Sequence, residues 1–318
     1  MYRRLSIPCL ASTAAAAIAL ASGTATAATA PLSNPRALAH FDLSTGQSPE
    51  NIALEPDGSA LVSLTGSRQV ARVSPTGHTT VLATLPGHDS PAGQEGIAGL
   101  VRAGDGSVHV AYRSGDANLN GVWRIPPSGA PERVAALPVG VTLNGLTVHR
   151  ATGVLYGADS SNGTVWRIPT RAGAPEIWSS DPALKPGTSP TSYGFGANGI
   201  KVHRGAVWVS NSDAGTLLRL PVRPGGSAGP VETRATGLTG VDDFSFIGNT
   251  DTALAALNSA NEVALVEPDG SHAVVLTGQD GLRTPTATAV RGGTVYVTSA
   301  AYFTQEDPNL LLADLDPR

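Results

Sequence analysis

The sequence predicts an all-β fold, a six-bladed β-propeller of four-stranded antiparallel blades whose last blade is closed by a strand from the N-terminal end. Three observations predict it. A phrase made of a polar residue, a small or apolar residue and a short apolar alternation recurs six times, beginning at Glu50, Glu95, Asn144, Asn198, Asp242 and Thr286. Its copies lie 44 to 54 residues apart, which is the length of a propeller blade made of short strands. The 318 residues include 37 Gly and 24 Pro, a supply of turn formers that suits short strands better than long helices. Hydrophobic residues make up 41% and charged ones 14%, so the chain can build a real core.

Residues 1–27 are set aside as an export signal. Arg3 and Arg4 give a basic start, Pro8 to Leu20 an apolar stretch, and Ala25-Thr26-Ala27 a small-residue cleavage site, so the mature chain should open at Ala28. The apolar stretch falls short of the roughly 20 residues a membrane span needs, so no anchor is expected. The arginine pair leaves both general and twin-arginine export open. The single cysteine, Cys9, lies inside this segment, and the secreted domain of residues 28–318 should therefore contain no disulfide.

After a Pro-containing lead, Ala37–Leu43 alternates as a strand yet precedes the first repeat. The last repeat offers only three strands, Thr286–Val290, Thr294–Ser299 and Asn309–Asp314. Ala37–Leu43 therefore supplies its fourth, which joins the termini and removes two open sheet edges. In blade one the strands are Ile52–Leu54, Ala60–Leu64, Val70–Val73 and Thr79–Leu85, separated by Pro56-Asp57-Gly58 and Pro75-Thr76-Gly77 turns. The third strand of four blades carries an arginine (Arg72, Arg124, Arg167, Arg219). An anion-binding ring is the sharper reading, but solvent-facing stems covering the blades are the ordinary one and are favoured. Trp123, Trp166 and Trp208 read as packing between blades. Two longer connections, Pro86–Gln94 with His88 and Asp89, and Asp181–Ala197 with Tyr193-Gly194-Phe195-Gly196, lead into repeat starts. Both should lie on the face where the polar first positions gather.

In a propeller the first strand of each blade lines a central channel, so Glu50, Glu95, Asn144, Asn198, Asp242 and Thr286 should form a ring. Asn and Asp are poor strand formers, and one of them alone would be a turn cap. Five carboxylate or amide positions out of six at one phase point instead to convergent oxygens around a cation. An all-oxygen set suits a hard divalent ion, calcium first and magnesium or manganese next. Zinc is the least suited, because no His or Cys falls in the ring. His149 and His203, each just after an inner strand, read as turn residues rather than bases. No Gly-x-Ser-x-Gly elbow occurs. The net charge of −4 without a basic face excludes a nucleic-acid partner.

On these residues the chain resembles the senescence-marker-protein, gluconolactonase and luciferin-regenerating-enzyme-like family of six-bladed propellers. The resemblance rests on Glu50 in Ser-Pro-Glu-Asn-Ile, Asn144 in Leu-Asn-Gly-Leu, Asn198 in Gly-Ala-Asn-Gly-Ile and Asp242 in Gly-Val-Asp-Asp-Phe, and it covers essentially all of the mature chain. It implies that Glu50, Asn198 and Asp242 hold a divalent cation, with Asn144 contacting substrate or a water on the metal, and Asp242 and Asn144 as the catalytic pair. Glu95 is a further candidate ligand. Asp243 stands where the family usually has Gly; Asp242 is taken as the ligand because Phe244 and Phe246 then align with Ile200 and Val202. Thr142 and Leu143 stand where an arginine for sugar-acid lactones would be expected, so gluconolactone itself is not the expected substrate.

The expected function is a secreted, monomeric, metal-dependent lactonase or ester hydrolase acting on a small molecule. A non-hydrolytic propeller that binds an extracellular ligand or protein is the main alternative. A condensing enzyme resembling strictosidine synthase ranks lower, because Thr284-Pro285-Thr286-Ala287-Thr288 lacks the carboxylate that chemistry uses.

Overall fold

A computed structural model describes residues 31–87, 95–170 and 173–316. Residues 1–27, expected to be an export signal, and most of the Pro86–Gln94 connection, with His88 and Asp89, lie outside the described residues. The described strands form six four-stranded antiparallel sheets. The inner strands are Pro49–Leu54, Gly96–Arg102, Leu143–His149, Ala197–His203, Val241–Phe246 and Pro285–Arg291, one per blade. Each packs beside the inner strands of the two neighbouring blades, which closes the ring around a central channel. No helix among the described residues is long and apolar enough to cross a membrane.

The buried side chains fall into six clusters, each shared by two adjacent blades. Trp208, Leu217 and Ala235 of blade four, for instance, pack on Phe244, Ala255 and Ala264 of blade five. Trp123 sits between blades one and two, and Trp166 packs between blades two and three. A sheet buried on both faces by its neighbours explains why most strands read as apolar runs rather than as clean alternations. The third-strand arginines cover outer blade faces, paired with carboxylates. Arg124, Arg167 and Arg219 reach Glu132, Glu176 and Glu232, all at 3.0 Å, and Arg72 holds Glu55 and Asp57. Three of these pairs are directly opposed across the outer hairpins, and as surface ion pairs each contributes on the order of 0–1 kcal/mol.

The N-terminal strand closes blade six, pairing with Asn309–Leu315. It spans Leu32–His40 rather than Ala37–Leu43, and Leu43–Thr45 forms a 3₁₀ turn capped by Asp42. Two register shifts, between Ser33 and Arg36 and between Ala37 and Ala39, break its alternation and hide its first half from a period-two reading. Pro35 is tolerated there because this is an outer, edge strand.

Every inner strand is bulged near its start. Register breaks between Pro49 and Asn51, Ile97 and Leu100, Leu143 and Gly145, Ala197 and Ile200, Val241 and Phe244, and Pro285 and Ala287. A bulge re-aims the side chain it carries, and the residues at this phase are Glu50, Ala98, Asn144, Asn198, Asp242 and Thr286. In blade two the ring position is therefore Ala98, three residues beyond Glu95. The recurrent Gly-Ile pair of Glu95-Gly-Ile and Asn198-Gly-Ile is out of phase in space. Ile97 pairs with Tyr112 as Ala197 pairs with Asn211, and each of those partners faces the start of its blade's third strand. Hydroxyls of the second strand compensate for the broken ladder: Ser63 Oγ accepts from Asn51 N and Ser210 Oγ from Gly199 N. They also donate onward to the carbonyls of Ala98 and Asp242, stitching each blade to the next.

Gly199 shows how closely the inner strands approach. A Cβ there would lie 2.4 Å from Asp243 Oδ1 and 2.7 Å from the Asp242 carbonyl oxygen, so no larger residue fits without moving the ring.

Candidate functional site

The bulged ends of the inner strands open into one cavity of about 480 Å³ at the channel mouth, within the size range of small-molecule sites. Glu50, Asn144, Asn198 and Asp242 line it, drawn from blades one, three, four and five. Glu95 lines it too, although it precedes its strand; Ser114 Oγ donates to its Oε1 at 2.8 Å. Thr286 does not reach the cavity. It is fully buried and its hydroxyl donates to the Pro49 carbonyl at 2.9 Å, so its role is to join blade six to blade one.

Glu50 and Asp242 are each only 8% exposed, and they face the same space. Burial pushes Glu50 up to about 7, against the opposing pull of the Tyr302 hydrogen bond and the Arg113 charge. Burial, then the neighbouring Glu50 charge and that of Asp243, hold Asp242 well above the usual carboxylate range; hydrogen bonds from Asn198 and Asn258 pull the other way. Tyr302 donates to Glu50 Oε2 at 2.5 Å, and Asn258 Nδ2 donates to Asp242 Oδ2 at 3.1 Å. Asn198 is oriented by its own Nδ2, which donates to Ser212 Oγ at 2.8 Å and leaves the amide oxygen as the group it offers a ligand.

Asp243 has a different environment. Lys201 Nζ lies 2.5 Å from its Oδ2, Asn51 Nδ2 donates to the same oxygen at 2.9 Å, and Phe244 N donates to Oδ1 at 2.8 Å. Asp243 is thus spent on tying the inner strands of blades one, four and five together, while its neighbour Asp242 faces the mouth.

His149 and His203 sit at the far ends of their inner strands. His203 is five residues beyond Asn198, or roughly 16 Å along extended chain, too far to act at the mouth. His149 Nδ1 meets Thr152 Oγ1 at 2.9 Å in its turn, and His203 stacks on Phe246 with Asp251 3.2 Å away.

Sequence reasoning did not single out Arg113, Ser212 and Asn258, which line the cavity from the ends of second strands, or Tyr302 and Phe303. Arg113 brings a guanidinium beside Glu50, although no arginine stands near Asn144 in the sequence.

Among the described residues no cluster of three or more His, Cys, Asp or Glu side chains is arranged to hold a metal ion. The donor set at the mouth is of another kind, two desolvated carboxylates whose charges oppose each other plus an oriented amide oxygen. Such a set fits a hard divalent cation, which neutralises the carboxylates without needing nitrogen or sulfur.

No family model and no curated protein matches the sequence. Solved structures do match its shape. A gluconolactonase of Xanthomonas campestris superposes with a TM-score of 0.64 at 15% identity, covering 85% of this chain and 87% of the other. Regucalcin of Agrobacterium tumefaciens, described as a calcium-binding protein, gives 0.62 at 18% identity over 84% and 90%. The chain is a six-bladed propeller of their architecture. A catalytically inactive variant of virginiamycin B lyase from Staphylococcus aureus, solved with quinupristin, matches at 0.59 and 16% identity over 85% and 82%. Structures of similar shape thus carry lactone, calcium and lyase names, and at these identities the likeness extends to the fold alone.

Proposed function

We propose that the protein is an exported, monomeric, metal-dependent lactonase or carboxylic ester hydrolase. The observation that carries this reading is the convergence of Glu50, Asn198 and Asp242, from three blades, on one small-molecule-sized cavity with both carboxylates raised chiefly by burial. Glu50, Asn198 and Asp242 would hold the cation, calcium before magnesium, manganese or zinc, with Glu95 of the same cavity lining as a further candidate. When bound, the ion supplies charge neutralisation and polarisation of a carbonyl oxygen.

The chain's own groups do the rest. Asp242, which accepts hydrogen bonds from Asn258 and Asn198 and faces the cavity, is the carboxylate that takes the proton of the attacking water. That proton then passes to the leaving alkoxide as the acyl–oxygen bond breaks, giving a hydroxy acid from a lactone. Asn144, partly buried at the cavity wall, orients the substrate through its amide. Arg113, beside Glu50, offsets negative charge as it develops.

The test is a panel of lactones and aryl esters offered to the mature chain before and after removal and return of calcium. Chelation should abolish hydrolysis and added calcium should restore it. If no lactone or ester is turned over under any metal, the hydrolase reading fails and a ligand-binding propeller replaces it.

A further inference from the structure

The exposed aromatic side chains among the described residues all gather at this one mouth: Tyr193 and Phe303, with the less exposed Phe195 and Tyr302. The other exposed large apolar residues, such as Val81, Ile177 and Val274, are aliphatic and lie away from it on outer strands. Tyr193 comes from the connection entering blade four and Phe303 from a loop within blade six. Their rings nevertheless meet, with centroids 6.0 Å apart, while remaining 62% and 56% exposed. Ile97 and Leu143 add apolar groups to a lining that also holds Ser48, Thr65, Thr142 and Ser259.

These loops are held in place rather than left to drift. Asp213 accepts hydrogen bonds from the backbone N–H groups of Gly187, Tyr193 and Gly194. In blade six, buried Thr284 adopts φ +60°, a left-handed conformation that strains a β-branched residue. Its Oγ1 accepts from Phe303 N at 3.1 Å. Tyr302, next in the chain to Phe303, binds Glu50 at the cavity floor. Rings left in water cost stability, and an apolar ligand is what would cover them.

We propose that the ligand of this mouth carries an alkyl or aryl arm next to its carbonyl, and that Tyr193 and Phe303 take up that arm. The carbonyl end rests on the hydrolase reading above; the arm does not. A polyhydroxylated sugar lactone would set hydroxyls against the Tyr193 and Phe303 ring faces, which return no conventional hydrogen bonds, so it fits the arm position poorly.

The experiment is calorimetric titration of the calcium-saturated mature chain with δ-lactams bearing no side chain, a propyl chain or a pentyl chain, and with a polyhydroxylated δ-lactam. The matching δ-lactones are assayed for hydrolysis in parallel. Affinity should rise roughly three- to fourfold per methylene over the first carbons. Tyr193→Ala and Phe303→Ala should each lower pentyl-lactam affinity about tenfold, the loss shrinking as the chain shortens, and Phe303→Leu should keep most of it. A flat response to chain length, tightest binding of the polyhydroxylated ring, or alanine variants that bind as the parent does would overturn the proposal. Chain-length-dependent binding without turnover of any lactone would sink the hydrolase reading alone. Turnover that is indifferent to the chain, with flat lactam binding, would sink the arm alone.

Discussion

Replacing Asp243 by Asn separates the structural carboxylate from the functional one. Asp243 is 2% exposed and holds Lys201 Nζ, the Asn51 amide and the Phe244 N–H across three blades. The substitution keeps the shape and one acceptor but leaves the Lys201 ammonium without its counter-charge inside the channel. Removing one partner of a fully buried pair costs about 3–5 kcal/mol. The Lys201 side chain keeps 26% exposure, so about 2–3 kcal/mol is expected here after discounting for solvent. For a chain of this size that lowers Tm by roughly 4–10 °C. Thermal melts of Asp243→Asn, Lys201→Met and the double variant form the assay. The double variant should recover a good part of the loss, because it removes the orphaned charge, and lactone turnover at 25 °C should stay near that of the parent. If Asp243→Asn melts with the parent while turnover collapses, Asp243 rather than Asp242 is the functional acid and the assignment is reversed.

Other expectations follow from the same structure. Deleting residues 28–44 removes the closing strand with Leu32, Ala39 and Phe41, and should prevent folding or lower Tm by well over 10 °C; a truncated chain that melts like the parent would count against closure by this strand. His109 is buried, and desolvation followed by the Arg124 charge lowers it to about 4. Because the unfolded state then binds the extra proton, stability should fall as pH drops from about 6.5 to 4, by up to about 3 kcal/mol. His109→Gln should flatten that slope in urea melts taken across the window, and an unchanged slope would rule His109 out as its source. Glu95→Gln should weaken calcium binding severalfold in calorimetry while Tm shifts little; identical titrations would confine Glu95 to lining the cavity.

The repeat and the ring were legible because a polar residue at a strand start stands out against an apolar run. Phase within the repeat was less legible, since Glu95-Gly-Ile imitates Asn198-Gly-Ile while the bulge that defines the phase lies at Ala98. Only cross-strand pairing reveals a bulge. The missed cavity residues had a signal of their own. One residue past each second strand's match to its third stand Thr65, Arg113, Ser160, Ser212 and Asn258, polar in five blades, with Ala300 in the sixth. Reading a second phase of the repeat would have found them. Tyr302 and Phe303 lie in the long gap between Ser299 and Asn309, where four of the other blades turn within four residues. Burial of the two carboxylates, and the capture of Asp243 by Lys201, depend on how inner strands meet and leave no local trace in the sequence.

The central claim is that Asp242, with Glu50 and Asn198, forms a metal site that hydrolyses lactones. Its most direct measurement is calcium titration of the mature chain and of Asp242→Asn by calorimetry, with turnover of the best lactone measured at full calcium occupancy. The account predicts a single calcium site in the parent and at least about a hundredfold weaker binding in the variant. Turnover should fall by about 10²–10⁴-fold even when the variant is saturated, because the proton acceptor is gone. A variant that binds calcium as the parent does, or hydrolyses at the parent rate once saturated, would contradict it.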